Sequence, residues 1–144
     1  MNAILNMLIK NLEQDERIAV TNRVKLMLNE YTYLSEKKPD LIKSAKKRGW
    51  SKKKLEVAFI LNSFYQRIIR PLWASSEPPT SLGERIPVRY GKKIVFDKER
   101  NRAVTKMGLQ FFKLSDELGI PQNYLESQKA SDLIWRINNP KHER

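Results

Sequence analysis

Residues 51–71, SKKKLEVAFILNSFYQRIIRP, decide the fold. Leu55, Val57, Ala58, Ile60, Leu61, Phe64, Tyr65, Ile68 and Ile69 are apolar and recur on more than one helical face. A surface helix carries a single apolar stripe, whereas one that is apolar all round is enclosed by its neighbours. Ser51 offers a side-chain oxygen to the free N–H groups of a first helical turn. Pro71 ends the element because it lacks a backbone N–H and its ring clashes with the preceding turn. The stretch therefore predicts a central core helix over 52–70, and with it a mainly α fold.

Immediately upstream the charge becomes one-sided. Residues 43–54 read KSAKKRGWSKKK, with seven basic side chains, no acidic one, and Gly49-Trp50 in the middle. Gly49 suits the left-handed backbone that closes a helix. Pro39 suits the first position of one. A short helix over 40–48 follows, with Leu41, Ile42 and Ala45 inward, so the lysines stand on a corner between two helices. Further upstream, Val20, Val24, Met27, Leu28, Tyr31 and Leu34 recur at helical spacing and predict a helix over 15–36. Residues 2–13 predict a shorter one, with Ile4, Leu5, Leu8 and Leu12 on one side. Nothing between Glu13 and Glu16 decides whether these two helices are joined.

Downstream, residues 71–85 (PLWASSEPPTSLGER) have no period and read as a strap. Residues 86–97, IPVRYGKKIVFD, place two β-rich runs around Gly91-Lys92, which predicts a β-hairpin with a basic tip. A helix from Thr105 to about Leu118 follows, ended by Gly119. Pro121 opens a short turn over 122–126. Ser127 reads as the cap of a last helix over 128–137. The expected fold class is a small helical bundle with one β-hairpin and a C-terminal helical hairpin. Residues 1–97 would form the core and 98–140 the hairpin packed on it, within one globular unit.

Composition narrows the function. Lys and Arg outnumber Asp and Glu by 28 to 16, for a net charge of +12. That exceeds what solubility asks of a small domain and points to a polyanionic partner. There is no cysteine, and the single histidine is His142. Zinc–thiolate sites, thiol catalysis and histidine-based triads are thereby excluded. No Gly-rich phosphate loop or nucleophile motif is present, and Asp40, Glu56 and Asp97 would need the fold to bring them together before they could hold a metal ion. The expectation is a protein that is not an enzyme and needs no cofactor and no metal. The N-terminus lacks signal-peptide features and no apolar run is long enough to span a bilayer. The expectation is a cytoplasmic protein without membrane contact; oligomeric state is open.

Two stretches resemble a helix-turn-helix. In the first, Ala45 is the small residue at the helix contact, Gly49 lies in the turn, Trp50 plugs it, and Leu55 and Ala58 point inward. It departs from the pattern at Ser44 and Arg48, where apolar residues are preferred. The order of three helices followed by a basic hairpin is similar to a winged-helix layout, except for the long strap before the hairpin. The second stretch, LSDELGIPQNYL at 114–125, fits the apolar pattern better, but Asp116, Glu117 and Glu126 surround it, so it reads as a packing unit. The resemblance implies DNA rather than RNA. The expected contacts are Lys43, Lys46, Lys47, Arg48, Lys52, Lys53 and Lys54 on the corner, with Arg89, Lys92 and Lys93 on the hairpin tip. The corner has only one arginine, and base edges are read best by arginine's bidentate fork, so phosphate contact is expected first. A different class of function, a protein-interaction module, would use Leu72, Trp73 and Leu82 of the strap.

Overall fold

A computed structural model describes residues 3–70, 94–97 and 102–140. Helix α1 (Ala3–Ile9) and helix α2 (Gln14–Lys37) are separate elements. Asp15 and Glu16 sit in the first turn of α2, where acidic side chains favour the positive end of the helix dipole. Helix α3 (Pro39–Lys47) begins on Pro39. It ends on Gly49 at φ +89. The Gly49 N–H donates to Lys46 O at 3.0 Å and the Trp50 N–H to Ala45 O at 3.1 Å, the paired bonds of a Schellman end.

Helix α4 (Lys52–Phe64) starts at Ser51, whose hydroxyl accepts from the Lys54 N–H at 3.1 Å. Every residue from Val57 to Phe64 is buried, as is Leu55. The helix continues through a π-helical turn, Tyr65–Ile69. Its neighbours account for its composition. Tyr31 of α2 meets Phe59, with ring centroids 5.7 Å apart, and Arg23 of α2 reaches Asn62. The two helices thus run antiparallel. At the far end, Phe64 and Tyr65 pack on Phe111 at 5.6 and 6.2 Å.

Strands β1 (Ile94–Asp97) and β2 (Arg102–Thr105) lead into helix α5 (Lys106–Glu117). They form an antiparallel ladder running from Ile94 opposite Thr105 to Asp97 opposite Arg102. This corrects the sequence expectation. Residues 94–97, the intended second strand of the hairpin around Gly91-Lys92, pair downstream with residues 102–105, so the described two-stranded sheet is that ladder and not the expected hairpin. The charged residues 98–101 had hidden the second strand, whose Val104 and Thr105 are β-branched and suit a pleated partner. The winged-helix-like layout falls with that hairpin, while the mainly α class stands. Residues 71–93, with the strap and the hairpin turn, lie outside the described residues.

Gly119, at φ +70, closes α5 with a second Schellman pair, Gly119 N–H to Asp116 O and Ile120 N–H to Ser115 O. The short helix α6 (Gln122–Leu125) and helix α7 (Ala130–Asn138) complete the described chain. Ser127 does not cap α7. The Glu30 carboxylate, from the middle of α2, accepts from the Ala130 and Ser131 N–H groups, both at 3.0 Å. A charged acceptor at a helix N-terminus satisfies otherwise unpaired donors and complements the dipole. Glu30→Ala should therefore cost about 1–2 kcal/mol, read as a lower denaturation midpoint in urea, with Glu30→Gln intermediate.

Candidate nucleic-acid interface

The basic stretch at 43–54 is a rigid corner. The Schellman end of α3 and the Ser51 cap of α4 fix its backbone from both sides. Trp50 is buried, with its ring 5.7 Å from that of Tyr124 in α6. Ala45, Leu55 and Ala58 are fully buried. The second motif-like stretch, 114–125, packs against the first through Trp50 and Tyr124. It serves as the support of the corner.

Of the seven basic residues here, Lys43, Lys46, Lys47, Arg48, Lys52 and Lys53 are exposed. None of the six forms an ion pair among the described residues. Lys46 and Lys47 lie in the last turn of α3, where cations are favoured by the dipole. Lys52, Lys53 and Lys54 occupy the opposite situation, the positive end of α4, with no acidic residue in its first turn. A cation there opposes the dipole. Local choices that work against the fold are expected chiefly where function requires them.

Lys54 differs from its neighbours. Its Nζ lies over the Trp50 ring, 4.4 Å from the centroid. A cation–π contact of this kind contributes on the order of 0.5–1 kcal/mol. Lys54→Gln should consequently lower the thermal midpoint by roughly 1–4 °C while leaving the salt dependence of any polyanion binding nearly unchanged.

Beside the corner, α2, α3 and the start of α4 enclose a groove of about 530 Å³. Lys43, Lys46 and Lys52 stand on it, but so do Glu36 and Glu56. The groove is thus mixed in charge, and the unopposed positive surface is the outside of the corner. From Val57 to Phe64 α4 is enclosed, so that stretch presents no face to a DNA groove; its first turn and the half-buried Glu56 reach the surface.

The other expected contacts, Arg89, Lys92 and Lys93, lie outside the described residues, as do Leu72, Trp73 and Leu82. Asp40 and Glu56 do not join a carboxylate cluster. Among the described residues the group of three that could share a cation is Glu13, Asp15 and Glu16, the acidic start of α2. No helix among the described residues is long and apolar enough to cross a membrane. Comparisons with protein-family models, with curated proteins and with solved structures find nothing that matches this chain.

Proposed function

We propose that this protein binds nucleic acid, DNA in the first instance, through phosphate contacts made by the corner between α3 and α4. The observation that carries this reading is the set of six exposed cations without ion-pair partners on a backbone held at both helix ends. Neutralising backbone phosphates releases condensed counterions, which gives affinity without sequence information. The burial of α4 argues against base reading by that helix and so favours weak sequence preference. A helix-turn-helix in the DNA-reading sense is accordingly no part of the proposal; the corner acts as a charged surface.

Equilibrium binding of a labelled duplex across a salt series tests the reading. Affinity should fall steeply and linearly on a logarithmic plot as salt rises. Absence of binding to duplex DNA, single-stranded DNA and RNA alike at low salt would end it. The alternative of a protein-interaction module draws its sequence support from the strap, outside the described residues.

A further inference from the structure

Tyr31 carries a polar group that the fold does not use. The residue is 5% exposed, and its ring rests on Phe59 in the core. Its hydroxyl makes no hydrogen bond among the described residues. A buried tyrosine ordinarily finds a partner for its O–H. This hydroxyl is not sealed in the interior either. Tyr31 is part of the wall of the groove of about 530 Å³ between α2, α3 and the start of α4, and its free end opens there.

The rest of the groove divides by chemistry. Leu28, Pro39 and Ile42 supply apolar surface. Thr32 and Ser35 commit their hydroxyl hydrogens to Leu28 O and Tyr31 O, both at 3.0 Å, so toward a ligand each oxygen can only accept. The carboxylates of Glu36 and the half-buried Glu56 add acceptors, and Lys43, Lys46 and Lys52 add cations. Opposite charges share one groove, yet none of these five side chains forms an ion pair among the described residues. An occupant that satisfies them combines N–H donors with a negative charge and offers a flat apolar face. A bare anion meets only the lysines, and a purely apolar ligand meets neither set of charges.

We propose that this groove binds a single unpaired nucleotide whose base bears an amino group: adenine, cytosine or guanine. The base lies on Leu28, Pro39 and Ile42, its amino group donates to Glu56, the Tyr31 hydroxyl bonds its edge, and its phosphate meets Lys43, Lys46 and Lys52. Carboxylates accept from the exocyclic amine of cytosine in this way. The volume falls within the range of small-ligand sites, about 300–1,000 Å³. The inference rests on the nucleic-acid reading of the corner, whose lysines supply the phosphate contact. It adds that a strand held there by its backbone places an unpaired base in the groove.

The test follows the methyl resonances of Leu28 and Ile42 in the full chain during titration with deoxycytidine monophosphate at constant ionic strength. The expected result is a saturable shift, half complete at a concentration on the order of millimolar. Deoxyuridine monophosphate, with a carbonyl in place of the amino group, should bind about 5-fold more weakly or worse. Glu56→Gln should erase that difference. Tyr31→Phe removes only the hydroxyl and should weaken binding about 3–10-fold with an unchanged or higher thermal midpoint. The proposal is overturned if deoxycytidine monophosphate gives no saturable shift, or if deoxyribose phosphate or the dipeptide aspartyl-arginine gives the same one. Wild-type binding by Tyr31→Phe, or a preference that survives Glu56→Gln, also overturns it. Duplex DNA, single-stranded DNA or RNA bound without this nucleotide shift overturns the groove and leaves the corner; binding of none of the three ends the reading on which both stand.

Discussion

Asn62→Ala should lower the thermal midpoint by roughly 5–15 °C. Asn62 is fully buried in the middle of the core helix. Its Nδ2 donates to Leu125 O at 2.7 Å and to Ser127 O at 2.8 Å, and its Oδ1 accepts from Arg23. These bonds tie α4 to the connection that positions α7. Truncation removes the strongest donor from each of two carbonyls. Leu125 O keeps Gln66 and Ser127 O keeps only the 3.4 Å contact from Arg23. Three hydrogen bonds of a buried side chain are lost at about 0.5–1.5 kcal/mol each, so the total is about 2–4 kcal/mol, and each kcal/mol moves the midpoint of a chain this size by roughly 2–4 °C. Asn62→Asp should be worse, since it sets an anionic oxygen against two carbonyls. Asn29→Ala, on the exposed side of α2, should stay within about 0.5 kcal/mol. Melts followed by circular dichroism separate the three; an Asn62→Ala protein as stable as the Asn29→Ala control would show that these bonds contribute little.

The second large effect concerns binding. Replacing Lys46, Lys47, Lys52 and Lys53 together with glutamine should reduce the salt slope of duplex binding by about 3–4, since each phosphate contact contributes about 0.9. At moderate salt the affinity should drop on the order of 100-fold. Stability should not suffer. All four side chains are exposed and none is ion-paired among the described residues. Removing two cations from the positive end of α4 offsets removing two from the negative end of α3, so the midpoint should stay nearly unchanged. A loss of binding with an unchanged or higher midpoint is a signature that unfolding cannot imitate. An unchanged slope would take these lysines out of any contact.

Much of the helical frame was legible because its signals are local. Gly49 and Gly119 stand at positive φ where the helices end, Pro39 begins α3 and Ser51 caps α4. The all-round apolar pattern of 55–69 marked the core helix. What escaped depends on distant residues. Strand 94–97 could pair with either neighbouring run, and alternation alone does not choose between them. Ser127 had the right chemistry for a cap, but Glu30, about a hundred positions away, occupies the α7 terminus. Asn62 looked like a polar interruption in an apolar run, and only the fold reveals the two carbonyls it serves. The π-helical turn has no sequence signal that periodicity could detect. At the corner, the position of the lysines was legible from the turn residues, whereas the engagement of Lys54 by Trp50 was not.

The central claim is that the corner, and not the overall charge of +12, makes the contact. Two variants with the same net charge decide it. One carries Lys46, Lys47, Lys52 and Lys53 changed to glutamine. The other carries Lys10, Arg17, Lys25 and Lys113 changed to glutamine, all exposed and away from the corner. Duplex binding is measured for both across one salt series. The account predicts that the corner variant loses most of its affinity and slope while the scattered variant keeps nearly the wild-type slope. Equal losses in the two would contradict it and reduce the interaction to diffuse charge.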